Sequence, residues 1–478
     1  MQGASRDCAF NQFESEGEKD GIYVLKLHCV QIPNLKYNGC DLILALKDFL
    51  NTLIPQKHPL RLFWHKSMAV LAALRYGFPA NQMIVIGVTG TKGKTTTCNM
   101  IHRIFTEAGK KVGMLTTVNF KLGGAEEVNL TKQSTISPFL LQRKIREMAN
   151  ANCEVLVLEV TSHALIQSRL WGINVDTAVL TNIAQDHLDY HGSMEEYRDA
   201  KALLFHQLNS SARKPGTPKL SVVNQDDPEH ETFNRIPADQ VFEYGIVKGT
   251  YTGRNLVPHA TGTDFIFRIP NGEVPVNLKI PGRMNVFNAL AAATVATAHQ
   301  INLQTVKKGL EAVDCIPGRL EIIDEGQPFT VVVDFAHTED SLKQVLELLR
   351  ELTKGRLILV FGATGDRDTS KRPKMGAVAD KYCDAVILTN DDPYTEDPRS
   401  IARMVREGIA RKEGDRFWQV LDRKEAIRLA LALAKEGDTV LLAGKGAEEF
   451  QVVGKRRIPH DDRKIVREFL GKALDIDL

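Results

Sequence analysis

Short apolar runs separated by amphipathic stretches dominate the 478-residue chain from Asn81 onward. In the part up to about Ile316, the apolar runs fall at 83–86, 154–160, 177–181 and 220–224. Runs of this length between turn residues are typical of buried strands, and the stretches between them have the spacing of amphipathic helices. One such helix is predicted at about 137–149, after a loop over 121–135. Strands that alternate with helices predict a mainly parallel α/β sheet.

Two further regions have different patterns. Residues 236–276 alternate in polarity and contain several turn residues, which predicts a small antiparallel sheet added to the central domain. After the Pro-Gly pair at 317–318, four more buried-strand runs follow at 330–334, 357–361, 385–388 and 439–443. Helical stretches separate them. This series predicts a second, Rossmann-like doubly wound domain of six strands or fewer.

The fold class predicted is therefore α/β, with a phosphate-loop central domain over 81–316, a C-terminal Rossmann-like domain over 317–478, and a short N-terminal segment over 1–80. In that segment a strand is predicted at 21–30. A helical pattern over 41–78, broken at Pro55 and Pro59, alternates apolar with basic residues. A basic amphipathic helix can lie on an anionic membrane surface, but it packs more often on its own domain.

Composition narrows the class of protein. The chain is 43% hydrophobic and 25% charged with a net charge of +2, which is ordinary for a globular protein and gives no argument for a nucleic-acid partner. Its seven cysteines are scattered without a C-x-x-C pair, as in a reducing compartment. There is no apolar run long enough for a membrane span, and the first 20 residues are too acidic for a signal peptide. We predict a cytoplasmic protein.

The stretch 83–97 carries the clearest chemistry: an apolar run, a glycine-rich loop and a helix start. Gly90 and Gly93 let the backbone approach an anion, and the loop N–H groups and helix N-terminus point at it. Lys94 adds positive charge for the β- and γ-phosphates, and Thr95 offers a hydroxyl to magnesium. Val88 replaces the first Gly of the strict G-x-x-x-x-G-K-[ST] pattern. A nucleotide-binding loop is still favoured over a plain turn, which does not need Lys-Thr-Thr-Thr at 94–97.

Polar residues also follow the other strands of the central domain. Glu159 ends one strand, and the end of the next leads into 186–192, which is rich in carboxylates and imidazoles. Glu and His beside a phosphate loop suit a magnesium ion that bridges phosphate and protein. Ser134 and Thr135 could meet a ligand, but a helix cap is favoured for them. Asn285 and Asn288, near the start of an Ala-rich helix, can cap it or contact a purine.

The second domain has four polar strand ends. Asp334 with His337 follows the first strand, and the segments 365–368, 390–392 and 444–446 follow the others. Because the carboxyl ends of parallel strands meet at one edge of a sheet, these residues are predicted to line a ligand site there.

Seven segments in order resemble the Mur ligases of peptidoglycan synthesis, namely 89–96 (TGTKGKTT), 159–165 (EVTSHAL), 181–192 (TNIAQDHLDYHG), 200–201 (AK), 282–288 (GRMNVFN), 317–321 (PGRLE) and 334–338 (DFAHT). Within that family the chain is most similar to the UDP-N-acetylmuramoyl-tripeptide synthetases, which add the third residue of the stem peptide. The resemblance implies that ATP phosphorylates the acceptor's carboxylate to an acyl phosphate, which the amino group of an amino acid then attacks.

The resemblance also implies roles for individual residues. Lys94, Glu159, His187 and Lys201 would be catalytic, with Thr95, Glu159 and His187 as magnesium ligands and Lys201 carbamylated. The residues implied to bind ATP are Gly90, Thr91, Gly93, Lys94, Thr95, Thr96, Asn285, Asn288, Arg319, Asp334 and His337.

Two substrates are implied, a UDP-muramoyl-dipeptide and an amino acid, bound by what we expect to be a monomer. The matching positions for the dipeptide are Ser134, Thr135, Thr161, Gln167 and Arg169. Those for the amino acid are Arg367, Asp391, Asp392, Tyr394, Gly444 and Glu448.

Residues 391–394 depart from part of the family. Enzymes that take meso-diaminopimelate carry Asp-Asn-Pro-Arg where this chain has Asp391-Asp392-Pro393-Tyr394. The change removes a bidentate clamp for a carboxylate and adds an anion. A cationic diamine such as lysine or ornithine, or some other amino acid, is therefore predicted over diaminopimelate. In the phosphate loop, Lys92 stands where the family commonly has Asn and adds positive charge beside the phosphates.

Two alternatives stay open. A folylpolyglutamate synthetase or a cyanophycin-type ligase would share the loop and the fold, but those enzymes lack the combination of segments 186–192 and 365–373. A non-catalytic nucleotide-binding subunit would not need Lys94, Glu159, His187, Lys201 and Asp334 together.

Overall fold

The apolar runs form strands in a computed structural model of the protein, which describes residues 55, 57–129, 131, 133–186, 188–259 and 261–474. The strand predicted at 21–30 and the first part of the helical pattern at 41–78 lie outside the described residues. Each of the eight buried-strand runs predicted from 83 onward coincides with a strand within two residues at either end, except that the first continues to Thr89.

The strand that leads into the phosphate loop lies in the interior of the first sheet, with other strands on both sides of it. Its strands, in chain order, are β1 Ile84–Thr89, β2 Val112–Leu115, β3 Asn119–Leu122, β4 Ala125–Val128, β5 Val155–Glu159, β6 Thr177–Leu180, β7 Leu220–Asn224, β8 Gln240–Gly245, β9 Tyr251–His259, β10 Gly262–Ile269 and β11 Gly272–Leu278. Across the sheet the order is β11-β10-β9-β8-β7-β6-β1-β5-β2-β3-β4. The six strands from β8 to β2 in this order run parallel, so β1, β5 and β6 end together at one edge.

One prediction about this sheet was wrong, and a second was confirmed only in part. Residues 121–135 are not only a loop, because β3 and β4 form a hairpin that turns at Gly123 and Gly124, both with positive φ. The hairpin is short and β4 is exposed, so it lacks the apolar run that indicated the other strands. The antiparallel sheet predicted over residues 236–276 is confirmed for β9 to β11, which pair as an antiparallel meander. It is wrong for β8, which pairs in parallel with both β7 and β9 and so joins the meander to the central sheet.

Helices cover both faces of this sheet, and they are α1 Pro59–Tyr76, α2 Lys94–Glu107, α3 Pro138–Asn150, α4 Ser162–Ile166, α5 Leu188–His191, α6 Met194–Ser210, α7 His230–Asn234, α8 Arg283–Ala298 and α9 Leu303–Glu311. Helix α8 is buried almost all round and packs on α2, because its run of alanines lets the two helices approach closely. This packing brings the start of α8 against the phosphate loop.

Helix α1 packs on the central domain, as the more common alternative predicted. Ala69, Ala72 and Ala73 are buried, and the Arg146 guanidinium donates to the carbonyl groups of Tyr76 and Gly77 at the helix end. Its other side exposes apolar residues such as Phe63. No helix in the described ranges is both long and apolar enough to cross a membrane.

The second sheet has six strands, β12 Glu321–Ile323, β13 Thr330–Asp334, β14 Leu357–Phe361, β15 Ala385–Leu388, β16 Phe417–Gln419 and β17 Thr439–Ala443, in the order β12-β13-β17-β14-β15-β16. All but β12 run parallel. The doubly wound prediction is confirmed, and the four polar strand ends lie along one edge. The remaining elements are the hairpin of β18 Phe450–Val453 and β19 Arg456–Pro459, and the helices α10 Glu339–Leu352, α11 Lys371–Tyr382, α12 Pro398–Arg406, α13 Arg423–Leu433 and α14 Asp462–Leu474.

Candidate active site

The loop between β1 and α2 is a tight cradle. Gly90 has φ 146° and Gly93 has φ 80°, and a Cβ on them would lie 1.9 Å from Thr181 Oγ1 and 2.1 Å from Asn288 Oδ1. Only glycine fits both positions. The neighbouring Thr91 N–H donates to the Asn182 carbonyl at 2.8 Å, so the end of β6 supports the loop from below.

Two lysines converge on one carbonyl of this loop. Lys94 Nζ donates to Gly90 O at 2.9 Å and to Thr91 O at 2.8 Å, and Lys201 Nζ donates to the same Gly90 O at 2.7 Å. Burial lowers the pKa of Lys94, although Glu159 and Asp186 oppose the shift. Burial and then the positive charge of Lys94 lower the pKa of Lys201 well below its usual value. The site thus holds two amino groups in a place where an anion would stabilise their charged forms.

Glu159, at the end of β5, sits beside this pair. Its carboxylate accepts from Thr95 Oγ1 at 2.8 Å, from Thr117 Oγ1 at 2.8 Å and from the Thr117 N–H at 2.9 Å. The Thr95 hydroxyl and the Glu159 carboxylate are oxygen donors of the kind that Mg²⁺ prefers, and their direct contact fits a shared ion. Within the described ranges, no three His, Cys, Asp or Glu side chains cluster as a metal site, and His187 lies outside those ranges.

The positions matched to the dipeptide form one connected network. Thr117 Oγ1 and Ser134 Oγ are hydrogen-bonded at 2.5 Å, and Thr135 Oγ1 donates to the Glu159 carbonyl at 3.0 Å and accepts from the Thr161 N–H at 3.1 Å. Neither Ser134 nor Thr135 caps the following helix. The N-cap is Ser137, which makes no side-chain cap bond, so the favoured cap was wrong.

Arg169 closes the same network. Its guanidinium donates to Gln167 Oε1 at 2.7 and 3.0 Å and to the Thr135 carbonyl at 2.5 Å. All five side chains predicted for the dipeptide therefore lie together, next to Glu159 and the lysine pair.

The two asparagines of α8 make contacts beside the loop, and neither caps the helix, whose N-cap is Gly282. Asn288 Oδ1 accepts a long bond of 3.4 Å from Thr97 Oγ1, and Asn288 Nδ2 donates to Asn285 Oδ1 at 3.1 Å. Asn285 Nδ2 donates to Pro281 O at 2.8 Å. Thr96, also predicted to bind ATP, is buried in the first turn of α2.

The edge of the second sheet begins with Asp334. Its carboxylate accepts from the N–H groups of Leu320 and Ala336, both at 2.8 Å, and burial raises its pKa even though Arg319 opposes the shift. The Arg319 guanidinium lies over the Phe335 ring, 4.5 Å from the centroid. His337 Nδ1 lies 2.8 Å from Phe335 O, and burial together with the Lys371 ammonium lowers its pKa to about 4, so the ring is neutral at pH 7.

The positions matched to the amino acid surround a buried lysine. Lys445 Nζ donates to Asp392 Oδ1 at 2.7 Å and to Glu448 Oε2 at 2.5 Å, and Asp391 Oδ1 is 3.9 Å away. Burial opposes the shift, but these three carboxylates hold the pKa of Lys445 above its usual value.

Three more residues complete this pocket. Gly444 is required because a Cβ there would lie 2.7 Å from Asp391 Oδ2, and its φ is 109°. The Arg367 guanidinium lies 6.0 Å from the centroid of the half-buried Tyr394 ring. The carboxylates of Asp391, Asp392 and Glu448 thus lie around Lys445, and the positive charges of Lys371 and Arg423 also act near Asp391.

Asp186 connects the two sheets electrostatically. Its negative charge acts on the pKa of Lys94 and Lys201 on one side and on the pKa of His337 and Lys371 on the other. The phosphate loop and the edge of the second sheet therefore lie close enough for the charge of Asp186 to act on both.

The sequence reasoning missed several residues of this site. Thr117 holds Glu159 through two bonds, and Tyr197 donates to Thr91 Oγ1 at 3.2 Å while its ring lies 4.4 Å from Lys201 Nζ. Thr117 follows a four-residue strand and carries no recognisable pattern. Tyr197 is four residues before Lys201 on α6, so helical spacing alone could have placed it beside that lysine.

Comparisons with known proteins agree with this architecture. Residues 88–296 match the model of the Mur ligase middle domain, and residues 318–446 match that of the Mur ligase glutamate ligase domain. The UDP-N-acetylmuramoyl-L-alanyl-D-glutamate–2,6-diaminopimelate ligase of Geobacillus kaustophilus is 43% identical over 405 residues, which cover 84% of this chain and 82% of that protein. The ligase of the same name from Listeria monocytogenes is 38% identical, with 86% and 83% covered.

Solved structures show the same likeness. A UDP-N-acetylmuramoyl-L-alanyl-D-glutamate–2,6-diaminopimelate ligase has a TM-score of 0.58 at 32% identity, and the match covers 82% of this chain and 79% of that one. The folylpolyglutamate synthase of Mycobacterium tuberculosis, complexed with ADP, has a TM-score of 0.64 at 19% identity, with 85% and 96% covered. At that identity the second likeness concerns the fold alone.

Proposed function

This chain belongs to the Mur ligase family, as the resemblance predicted, and we propose that it is the ATP-dependent ligase that adds the third amino acid to UDP-N-acetylmuramoyl-L-alanyl-D-glutamate. Relatives about 40% identical over most of the chain are named for this acceptor. The observation that carries the proposal is the approach of the second sheet to the phosphate loop, where Asp186 acts on both Lys94 and His337 and Lys92 contacts Asp340, because one ATP bound there would contact both sheets.

The nucleotide would be bound from both sheets. Backbone N–H groups of the loop and Lys94 are suited to the β- and γ-phosphates, since a helix N-terminus and a lysine both stabilise negative charge there. Asn285 and Asn288 offer amide groups next to the loop. Arg319, Asp334 and His337 would hold the remainder of the nucleotide from the other side.

Magnesium fits the oxygen ligands that this site offers. Thr95 and Glu159 would hold it, with His187 as the third ligand by likeness to the family, and the ion would neutralise charge on the phosphates. Thr117, through its two bonds to Glu159, would keep that carboxylate in place.

Lys201 has the properties that carbamylation requires. Because burial and Lys94 lower its pKa, the side chain is more often a free amine than an ordinary lysine is. A free amine can add to the carbon of CO₂ and lose one proton to solvent, which gives a carbamate anion. The product would replace two neighbouring positive charges by an ion pair between Lys94 and the carbamate.

The reaction then needs two transfers. A carboxylate oxygen of the acceptor attacks the γ-phosphorus of ATP, the bond to the β-phosphate oxygen breaks, and ADP leaves. The free amine of the amino acid attacks the carbonyl carbon of the acyl phosphate, inorganic phosphate leaves, and the amine loses a proton. The network of Ser134, Thr135, Thr161, Gln167 and Arg169 would hold the dipeptide beside the lysine pair.

For the incoming amino acid we propose a cationic side chain such as that of lysine or ornithine. Asp392 places a third carboxylate beside Asp391 and Glu448 where enzymes for diaminopimelate carry Asn, so a cationic side chain would be attracted and a second carboxylate repelled. The relatives are named for diaminopimelate, whose side chain carries both charges. Tyr394 offers no cation for that carboxylate.

Phosphate release from ATP tests the proposal. The protein is incubated with UDP-N-acetylmuramoyl-L-alanyl-D-glutamate and a panel of amino acids, and a folate acceptor with glutamate serves as the control for the other ligase class. Release that requires both the muramoyl acceptor and one amino acid is expected. Release with folate only, or with neither acceptor, would contradict the assignment.

A further inference from the structure

Lys92 lies in the phosphate loop but makes different contacts from the other two lysines. Its N–H donates to Asn182 Oδ1 at 3.0 Å, and its carbonyl accepts from Thr181 Oγ1 at 2.6 Å and from Asn182 Nδ2 at 3.0 Å. Three hydrogen bonds fix this backbone to the end of β6. The point from which the side chain leaves the loop is therefore fixed as well.

The side chain of Lys92 reaches across to the second sheet's first helix, α10. Its ammonium group pairs with the Asp340 carboxylate and donates to Gln344 Oε1 at 3.2 Å. Asp340 and Gln344 are four residues apart, so they share one face of the helix. Lys94 and Lys201 point instead at Gly90 O, inside the loop. Lys94 and Lys201 are thus an inner pair of lysines, whereas Lys92 contacts the second domain.

Helix α10 is firmly connected to the nucleotide side of the second sheet. It begins at a capping box of Thr338 and Ser341, directly after His337 and four residues after Asp334. Near its other end, Leu348 packs on Gly282 of the central domain, where a Cβ would lie 2.7 Å from Leu348 Cδ2. The first turn of α10, which carries Asp340, therefore follows directly on the segment that carries Asp334 and His337.

We propose that Lys92 and Asp340 form a latch that positions the C-terminal sheet against the phosphate loop, so that both sides of the nucleotide site meet ATP together. The inference rests on the proposed function. Lys92 acts here as a positioning residue, because its ammonium group contacts α10 and not the inside of the loop. The sequence suggested that the positive charge of Lys92 lies beside the phosphates, but in the structure it pairs with Asp340 instead.

The latch is tested with Lys92→Met, Asp340→Asn and the double variant. Each single variant is expected to raise the KM for ATP by the same factor, at most about fivefold, since a partly exposed ion pair stabilises little more than that. The double variant should be no worse than either single one, and Lys92→Arg should keep the parent value. Amide hydrogen exchange of residues 338–345, measured without nucleotide, should be faster in both single variants.

Lys144→Met is the matched control. Lys144 pairs with Glu127 at 2.7 Å and its side chain is 16% exposed, against 21% for Lys92, but both partners belong to the first sheet and its helices. This variant should change neither the KM nor the exchange of 338–345.

Two results would overturn the latch. If Lys92→Met raises the KM for ATP while Asp340→Asn lowers it, Lys92 acts on phosphate directly and Asp340 competes for it. If exchange of 338–345 is unchanged in both variants, the pair does not hold the helix. Should the parent protein not ligate, the proposed function fails, and the exchange comparison alone still decides the latch.

Discussion

Asp392→Asn with Tyr394→Arg is expected to move the amino-acid preference from a cationic side chain to diaminopimelate. The backbone of Tyr394 is fixed by the β18 hairpin, because its N–H donates to Val452 O at 3.2 Å and its carbonyl accepts from the Gly454 N–H at 2.6 Å. Its φ is 49°. Arginine is no more branched at Cβ than tyrosine, so the new side chain leaves the backbone at the same point without added strain.

The size of the effect follows from the charges. The first substitution removes one negative charge and the second adds one positive charge. Hydrogen bonds to a charged group contribute about 1.5–3 kcal/mol, which is about 10- to 150-fold in kcat/KM for a substrate with a second carboxylate. Lys445 loses Asp392 as a partner but keeps Glu448 at 2.5 Å, so the pocket should remain folded.

The assay is a competition between lysine and diaminopimelate for the muramoyl acceptor, with the two products separated by mass. The parent should favour lysine, and the double variant should shift the ratio of kcat/KM by at least tenfold toward diaminopimelate. Tyr394→Phe, which keeps the ring and the charge, should leave the ratio unchanged. A parent that prefers diaminopimelate, or a ratio that the double variant does not move, would refute the charge argument.

Three further predictions concern the loop and the core. Lys201→Met should lower kcat by about 10²–10³ without lowering the melting temperature, because an apolar chain replaces a buried amine. Lys201→Ala leaves room for a small molecule, so it should lose ligation and regain part of it with added short carboxylic acids. Full activity in Lys201→Ala would contradict a role for the side chain. Gly93→Ala should lower stability and ATP affinity more than Gly109→Ala. Both glycines have φ near 80°, so either substitution adds backbone strain of about 1–2 kcal/mol, but only the Cβ at position 93 would clash with a neighbour, Asn288. Equal losses in the two variants would exclude the clash. Burial lowers the pKa of His299 to about 4, so between about pH 6.5 and pH 4 the histidine binds a proton only in the unfolded protein, and the free energy of unfolding should fall as the pH is lowered through this range. Chemical denaturation of His299→Leu at several pH values should show a smaller fall. An equal fall in the variant would exclude His299 as a cause.

The sequence predicted the elements that have a strong local signal. Buried parallel strands are continuous apolar runs, so their positions and their shared carboxyl edge followed from the pattern. The β3–β4 hairpin did not, because an exposed four-residue strand has no such run. The favoured cap at Ser134 and Thr135 was wrong for a different reason. Their partners are Thr117, in the turn after β2, and Glu159, at the end of β5, and a contact of that kind has no trace in the local sequence.

The site residues also divide into those that have a local sequence signal and those that do not. The glycines and Lys94 were predictable, since they act through local backbone geometry. The resemblance to a family supplied Lys201 and the dipeptide positions, which the structure brings together. Their assigned roles remain predictions. Asp186 belongs to a segment noted for its carboxylates, but its position between the two sheets depends on how they pack. The pairing of Lys92 with Asp340 depends on the same packing.

The two inner lysines explain why this site should bind its substrates in a defined charge state. Lys94 and Lys201 share one carbonyl acceptor, so the positive charge on one disfavours the charge on the other, and burial disfavours both. Three anions can relieve that conflict: the phosphates of ATP, the acceptor carboxylate, or a carbamate on Lys201 itself. A carbamate would leave a single positive charge, on Lys94, for the γ-phosphate. If so, bicarbonate should weaken the binding of metal-free ATP to the parent protein and should leave it unchanged in Lys201→Met.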